Sequence, residues 1–413
     1  NFLKVIGCPM TSLQYEVYKK YTNNKEKESG FFDTIGLQLC NIVCNNDINI
    51  KEKEIDYLES YYGGKGFRNI IDVENDLNNN ILFNFRNEKI RDMFELENIK
   101  NLSTKMYSVL KGLDEATGIC FIYSQFKWAG VYPLAIALEL MGYANYGKNL
   151  VPRKYIKNPK KTMLDKNGNV KQLKYLLITG DSNDDFNKYK KQEHLNTDGS
   201  LLKVILGTKA AGEGLNILYV REVHVLEPWF HLNRLEQVIG RGIRNCSHKD
   251  LEPEERNVTV YLYAVQEPKN QKETIDMKLY RNAEEKIGKI GKVMSIIKSS
   301  AIDCFLNKEG NSYLGDKWNK PITMIDSRGK VRKDIILEDK PFSNVCNYTD
   351  KCEYKCYNPN NRELNDSNID SSTYKIEFSS DLIREYQEEI KKIFSKKEYN
   401  IYFNIRDIKK ELR

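Results

Sequence analysis

A chain of 413 residues is too long for one ordinary hydrophobic core and suggests two or three domains. Lys+Arg 65 against Asp+Glu 58 gives a net charge of +7, which suits a polyanionic partner without requiring one. No apolar run reaches the ~18 residues a spanning helix needs, which argues against a membrane partner, and the N-terminus NFLKVIGCPM is not a signal peptide. Nine cysteines, an odd number scattered without a secretory signal, point to a reducing, intracellular compartment instead of a disulfide framework. The missing initiator Met suggests a piece of a longer protein.

Three regions differ in texture. Residues 1–100 mix helical apolar patches such as TSLQYEVYKKY with polar stretches (ESYYGGKGF, VENDLNNN), predicting a helical lead-in with a flexible insertion. Residues 101–270 alternate apolar runs (GICFIYS, KYLLIT, LKVILGT, VREVHVLEP, VTVYLYAV) with helical stretches. That alternation predicts an α/β lobe with a largely parallel sheet and flanking crossover helices. Val131, Leu134, Ala135, Leu138 and Met141 repeat at helical spacing, and Gly142 ends that helix. Residues 271–413 form a mostly helical, lysine-rich C-terminal extension. It passes through a cysteine loop and closes on an amphipathic helix, SDLIREYQEEIKKIFSKK.

The stretch EQVIGRGIRN, residues 236–245, carries Arg241 and Arg244 three apart, with Gln237 a turn upstream. On a helix that spacing puts both guanidiniums on one face, where they could converge on a single phosphate; the alternative is a solvated basic face. Two stretches imitate a phosphate or magnesium cradle. GYANYGKN (142–149) has the glycines and Lys148 of a P-loop, but Asn149 stands where Ser or Thr should hold magnesium, and it follows a helix instead of a strand. DEAT (Asp114 to Thr117) follows no buried strand, so both are set aside.

The loop VCNYTDKCEYKC offers Cys346, Cys352 and Cys356, one ligand short of a tetrahedral zinc unless Cys304 or a distant histidine completes it. Reduced cysteines packed under a loop are the preferred reading, and no metal is assigned. His231 and His224 read as ordinary loop and strand residues. Trp229 and Phe230 read as packing in preference to base stacking.

Reading outward from the arginines, TKAAGEGLNI (208–217) follows one strand and EPWFHLNRLEQVIGRGIR follows the next; these resemble motifs V and VI of the second RecA-like lobe of a superfamily 2 helicase. FIYSQF (121–126) resembles motif IV, and TGDS (179–182) stands at the next strand-end loop. LQLCNIVC (37–44) followed by NLSTKMYSVL resembles the lead-in of the Swi/Snf-type branch. CPMTSLQYEVY and SSAIDCFLN resemble the helicase-like ATPases of large DNA viruses, the group of the poxvirus early transcription factor and nucleoside triphosphate phosphohydrolase I.

The resemblance implies a RecA-like lobe from a two-lobed motor whose P-loop lobe is missing from this chain. ATP and Mg2+ would be bound mainly by that N-terminal lobe. Arg241 and Arg244 would be arginine fingers with Gln237 as polar partner, and Gly240 would keep the backbone uncluttered where the lobes meet. Gly212, Glu213 and Gly214 would touch nucleotide, although Glu213 departs from the Arg or Leu of better-known branches. Thr208, Ser124 and Thr179 would contact the backbone phosphates of DNA or RNA, or else cap helices. The implied function is the C-terminal half of an ATP-dependent helicase or translocase serving viral transcription or DNA metabolism, in cytoplasm, virion or viral factory, with transcription machinery as a partner. The alternative is a catalytically inactive nucleic-acid-binding or scaffold module.

Overall fold

The computed structural model describes residues 2–24, 33–44, 58–76, 80–180, 184–209, 216–268, 272–308, 312–313, 318, 320–325, 329–357 and 380–395. Its centre is a seven-stranded sheet, parallel throughout. The strands are β1 (Phe2–Pro9), β2 (Ile119–Tyr123), β3 (Ala144–Asn145), β4 (Lys174–Ile178), β5 (Val204–Gly207), β6 (Val220–Val225) and β7 (Thr259–Gln266), in spatial order β1-β7-β6-β2-β5-β4-β3. β2, sequence ICFIY, is buried along its whole length, as a central parallel strand covered on both faces must be.

The pleat sorts β2 between two cores. Cys120 and Ile122 face one cluster, while Ile119, Phe121 and Tyr123 face the other. The first cluster is covered by α1 (Ser12–Asn24), α2 (Thr34–Asn41), α3 (Thr104–Gly112) and α4 (Tyr132–Leu140). The second lies under α5 (Asp184–Lys190) and α6 (Leu232–Ile239). Local chemistry starts these helices where they start. Asp33 accepts from Gly36 N at 2.8 Å to cap α2, and Ser103 accepts from Met106 N at 3.1 Å to cap α3. α4 has Pro133 in its first turn, and Gly142 follows its end at φ +93°, a conformation open to glycine and closed to most side chains.

The first hundred residues, read above as a helical lead-in, are woven into the lobe. β1 is an edge strand of the main sheet, paired to β7 along its full length, and α1 and α2 bury Val17, Tyr18, Leu39 and Cys40 in the first core. A separate hairpin, Ile71–Asn75 with Ile81–Phe85, packs Phe83 and Phe85 there too. The strand FLKVIGCP is itself largely apolar; what local sequence does not show is its partner, since it pairs with β7 near the other end of the lobe in sequence.

After β7 comes α7 (Ile275–Ser300), capped by Thr274 and buried along its first half through Leu279, Ala283 and Ile287. A hairpin, Ile322–Ile325 with Val331–Ile335, and the cysteine loop complete a compact unit spanning Asn1–Lys355. The second unit, Cys356–Arg413, contains α8 (Ser380–Ser395), whose Ile383, Tyr386 and Phe394 are exposed.

The loop corrects one expectation. Cys346 and Cys352 form a disulfide with Cα atoms 4.4 Å apart, so these two are not reduced thiols packed under a loop, and Cys304 and Cys356 are disulfide-bonded as well. A six-residue separation in an irregular loop lets two Cβ atoms turn toward one another, which sequence spacing alone does not reveal.

Candidate nucleotide and nucleic-acid interface

Parallel sheets place their functional loops at the carboxyl ends of the strands. Here those ends are Tyr123, Ile178, Gly207 and Val225, and backbone hydrogen bonds lock each loop to a neighbouring strand. Ser124 N donates to Gly207 O at 3.1 Å, Thr208 N to Ile178 O at 3.0 Å, and Leu226 N to Tyr123 O at 3.0 Å.

Beneath this surface lies a buried polar hub. Glu227 accepts from Asn41 Nδ2 at 2.8 Å, from Ser124 Oγ at 3.0 Å and from the backbone N–H of Gln125. Burial pushes its carboxyl up to about 7, against the lowering effect of these donors. Asn41 Oδ1 in turn accepts from Lys105 Nζ at 3.1 Å, and Lys105 pairs with Asp276 of α7 at 2.5 Å, both side chains fully buried. The loop entering α6 is thus tied to α2, α3 and α7.

Ser124 was expected to face backbone phosphates; it is instead fully buried, with its hydroxyl engaged by Glu227. Gly130 explains the fit, since a Cβ there would sit 2.0 Å from Ser124 Oγ. Thr208 is also buried, its Oγ1 donating to Ile178 O at 3.3 Å, whereas Thr179 stays partly open beside Lys148 and Lys188 in a cleft of about 610 Å³. Gly212, Glu213 and Gly214 lie outside the described residues.

Over the hub, Trp229, Phe230 and His231 with Tyr123, Lys209 and Arg234 line a cavity of about 190 Å³. The Arg234 guanidinium lies 4.1 Å from the centre of the Trp229 ring and reaches Tyr123 Oη at 3.1 Å. Trp229 Nε1 donates to His231 Nε2 at 3.2 Å; burial, then Arg234 and Lys286, hold the imidazole below its ordinary pKa and keep it neutral. The aromatics pack with Arg234, whose signal in the sequence is its place in the first turn of the helix after the aromatic loop.

The arginine segment differs from expectation. α6 ends at Ile239 with Gly240 as its cap, and the chain continues as successive turns, Arg241 N to Val238 O at 3.1 Å and Gly242 N to Ile239 O at 3.0 Å. Arg241 and Arg244 therefore do not share a helix face. Arg241 is 7 % exposed, whereas Arg244 is exposed with Nε donating to Gly240 O at 3.2 Å; Gln237 is exposed too. Two glycines at 240 and 242 favour turn over helix, and Gly242 is the one the packing requires, because a Cβ would lie 2.7 Å from Val223 Cγ2 of β6.

The two imitations of a cradle resolve simply. Lys148 pairs with Asp76 in a turn after β3, with no helix opening behind it, and Asp114 pairs with Lys161. No described helix is long and apolar enough to cross a membrane.

Residues 137–246 match the family described as Helicase conserved C-terminal domain. The chain is 30% identical to a protein of Acanthamoeba polyphaga mimivirus named an ATP-dependent RNA helicase, over 76% of this chain and 48% of that protein. A second mimivirus protein of the same name is 26% identical over 99% of this chain and 39% of its own length. A termination factor NPH-I homolog of African swine fever virus is 28% identical over 62% of this chain and 39% of its own. The chain spans less than half the length of each of these relatives.

Proposed function

We propose that this chain is the second lobe of a superfamily 2 ATP-dependent helicase or translocase acting on DNA or RNA, serving viral transcription or DNA metabolism, a reading supported by its match to the helicase C-terminal domain family and its likeness to viral helicases. The observation that carries the reading is the exposed Arg244 guanidinium. It lies in the turns that follow α6, within the matched segment 137–246, on a lobe whose strand-end loops are tied to a buried hub. An arginine presented this way can meet charge developing on a γ-phosphate held by another lobe.

Within the chain itself, the described residues offer no strand–loop–helix cradle and no free carboxylate pair at the strand ends, so they do not fit Mg2+. ATP and its metal would belong mainly to an N-terminal RecA-like lobe. The roles of Gly212, Glu213, Gly214 and Gly240 toward nucleotide, and of Thr179 toward backbone phosphates, belong to this proposal, as does contact with transcription machinery; the buried Thr208 hydroxyl, donated to Ile178 O, holds the strand-end loop instead. Ser124 enters it as a positioning residue beneath the surface.

A second reading, a lobe that binds or scaffolds without catalysis, draws on the burial of Arg241. Steady-state ATPase of the full-length protein with nucleic acid separates the two. Under the motor reading, Arg244→Ala binds ATP but loses hydrolysis; unchanged hydrolysis in the folded variant, or none in the wild type, favours the scaffold.

A further inference from the structure

On the first-core face of the sheet, three metal-competent side chains meet from adjacent strands. Cys120 of β2 and Glu222 of β6 are register partners, and His224 stands two residues along β6 on the same face. Cys120 Sγ is 3.9 Å from Glu222 Oε2, and His224 Nε2 is 3.0 Å from the same oxygen, with all three donor atoms within 4.8 Å of one another. We propose that Cys120, Glu222 and His224 form a buried zinc site that staples β2 to β6.

The separations of 3.0 and 3.9 Å bracket what the ion needs, so small side-chain shifts would bring the donors to it. Zn–S near 2.3 Å and Zn–N or Zn–O near 2.0–2.1 Å put the donors of a tetrahedral site roughly 3.3–3.8 Å apart. The donor set suits its softness and charge: thiolate and imidazole favour zinc over magnesium or calcium, and thiolate plus carboxylate neutralise a divalent cation away from water. A second shell is in place. His224 Nδ1 is 2.9 Å from Tyr263 Oη, and the ring stacks on Tyr261 with centroids 4.6 Å apart and planes 5° from parallel. The two ring nitrogens of His224 are each in hydrogen-bond reach of one partner, Tyr263 Oη and Glu222 Oε2; the tautomer that gives Nδ1–H to Tyr263 leaves the Nε2 lone pair for the ion. Binding would displace the thiol proton of Cys120, leaving one position for water. Glu222 is partly exposed and gives the ion a way in, while Cys120 and His224 are buried.

Sequence reading assigned no metal and took His224 as an ordinary strand residue; Cys120 and Glu222 are 102 positions apart, so no motif spacing announces them. Uptake would release the thiol proton of Cys120, so binding should weaken as pH falls.

The test uses the full chain, reduced and stripped with chelator, titrated with Co2+ as a spectroscopic probe. One equivalent should give a thiolate-to-cobalt charge-transfer band and tetrahedral d–d bands, displaced by Zn2+. A background of Cys304→Ser, Cys346→Ser, Cys352→Ser and Cys356→Ser together removes the thiols that reduction frees and should keep the bands. Cys120→Ser should abolish the charge-transfer band, and Tyr263→Phe should weaken Co2+ binding about 10- to 100-fold while sparing the fold. If Cys120→Ser fails to fold, Glu222→Gln, at the open side of the cluster, carries the same expectation of weakened binding. Absence of bands in the stripped wild type, bands that survive Cys120→Ser, or affinity unmoved by both Tyr263→Phe and Glu222→Gln would overturn the proposal.

Discussion

Ser124 donates its hydroxyl to Glu227 at 3.0 Å across 103 residues of sequence, joining the end of β2 to the end of β6 from inside the fold. That carboxyl and Glu139, which accepts from Leu150 N, Val151 N and Tyr175 Oη at 2.6–2.8 Å, are both pushed up to about 7 by burial. A carboxyl raised in the fold favours the protonated state there. Its contribution is fully present below the unfolded value near 4.5 and is lost as pH rises through about 7. A shift of this size is worth on the order of 3 kcal/mol per group. Denaturant unfolding of the chain from pH 4.5 to 7.5 should therefore show a downward component that Glu139→Gln and Glu227→Gln each reduce. Variants whose pH slope matches the wild type would remove these carboxyls as its source.

Gly242 offers a packing test. A methyl there would meet Val223 Cγ2 at 2.7 Å and Val220 Cγ1 at 3.0 Å, so Gly242→Ala must push the arginine turn off β6. Overpacking of this kind costs about 1–3 kcal/mol. Gly240→Ala, which meets the Glu236 carbonyl at 3.0 Å and the Gln237 carbonyl at an ordinary 3.6 Å, should cost less. Thermal melts of the two variants decide it, and equal melting temperatures would contradict the geometry.

How much of this was legible varies by element. The runs GICFIYS, KYLLIT, LKVILGT, VREVHVLEP and VTVYLYAV all contain strands of one parallel sheet, because buried parallel strands are near-continuously apolar and announce themselves. β1, FLKVIGCP, is also an apolar run, but it stands apart from the other strands in sequence, and nothing local ties it to β7. The arginine segment was legible as chemistry, but its geometry was not: Arg241 and Arg244 were read onto a helix that two glycines end. Glu227 gave no signal, since nothing in EPWF distinguishes a buried hub from a surface acid. The Cys346–Cys352 bond depends on loop shape that spacing does not encode.

A third prediction follows from Lys148. Paired with Asp76 in a turn, it has no helix dipole or backbone cradle to share with a triphosphate. The chain alone should show no nucleic-acid-stimulated ATPase activity. Robust activity abolished by Lys148→Ala would reverse that view of residues 142–149.

The fourth concerns the track. With a net charge of +7 and the phosphate contact proposed at the strand-end residue Thr179, binding of this chain to single- or double-stranded nucleic acid should be modest and indifferent to sequence. Affinity should fall with salt by a log–log slope of about −0.7 to −0.9 for each phosphate neutralised. Fluorescence anisotropy at several ionic strengths measures this; a flat salt dependence or a strong preference for one sequence would exclude backbone recognition.

Arg241 and Arg244 differ in burial, and the difference separates the expected effects of removing them. Arg244 is exposed and lightly held by Gly240 O, so Arg244→Ala should leave the melting temperature of the full-length protein nearly unchanged while lowering kcat by about 10³ to 10⁵, with ATP affinity little altered. Arg241 is 7 % exposed, and removing a buried guanidinium disturbs the turn it packs in, so Arg241→Ala should lower stability by about 1–3 kcal/mol as well as activity. Lysine at 244 should rescue poorly, since it keeps the charge but loses the planar fork that grips two oxygens at once. The measurements are steady-state ATPase with saturating nucleic acid, ATP binding and a thermal melt on each variant. If folded Arg244→Ala hydrolyses ATP within about threefold of wild type, a barrier change near 0.6 kcal/mol, then Arg244 is a solvated surface charge and not a finger.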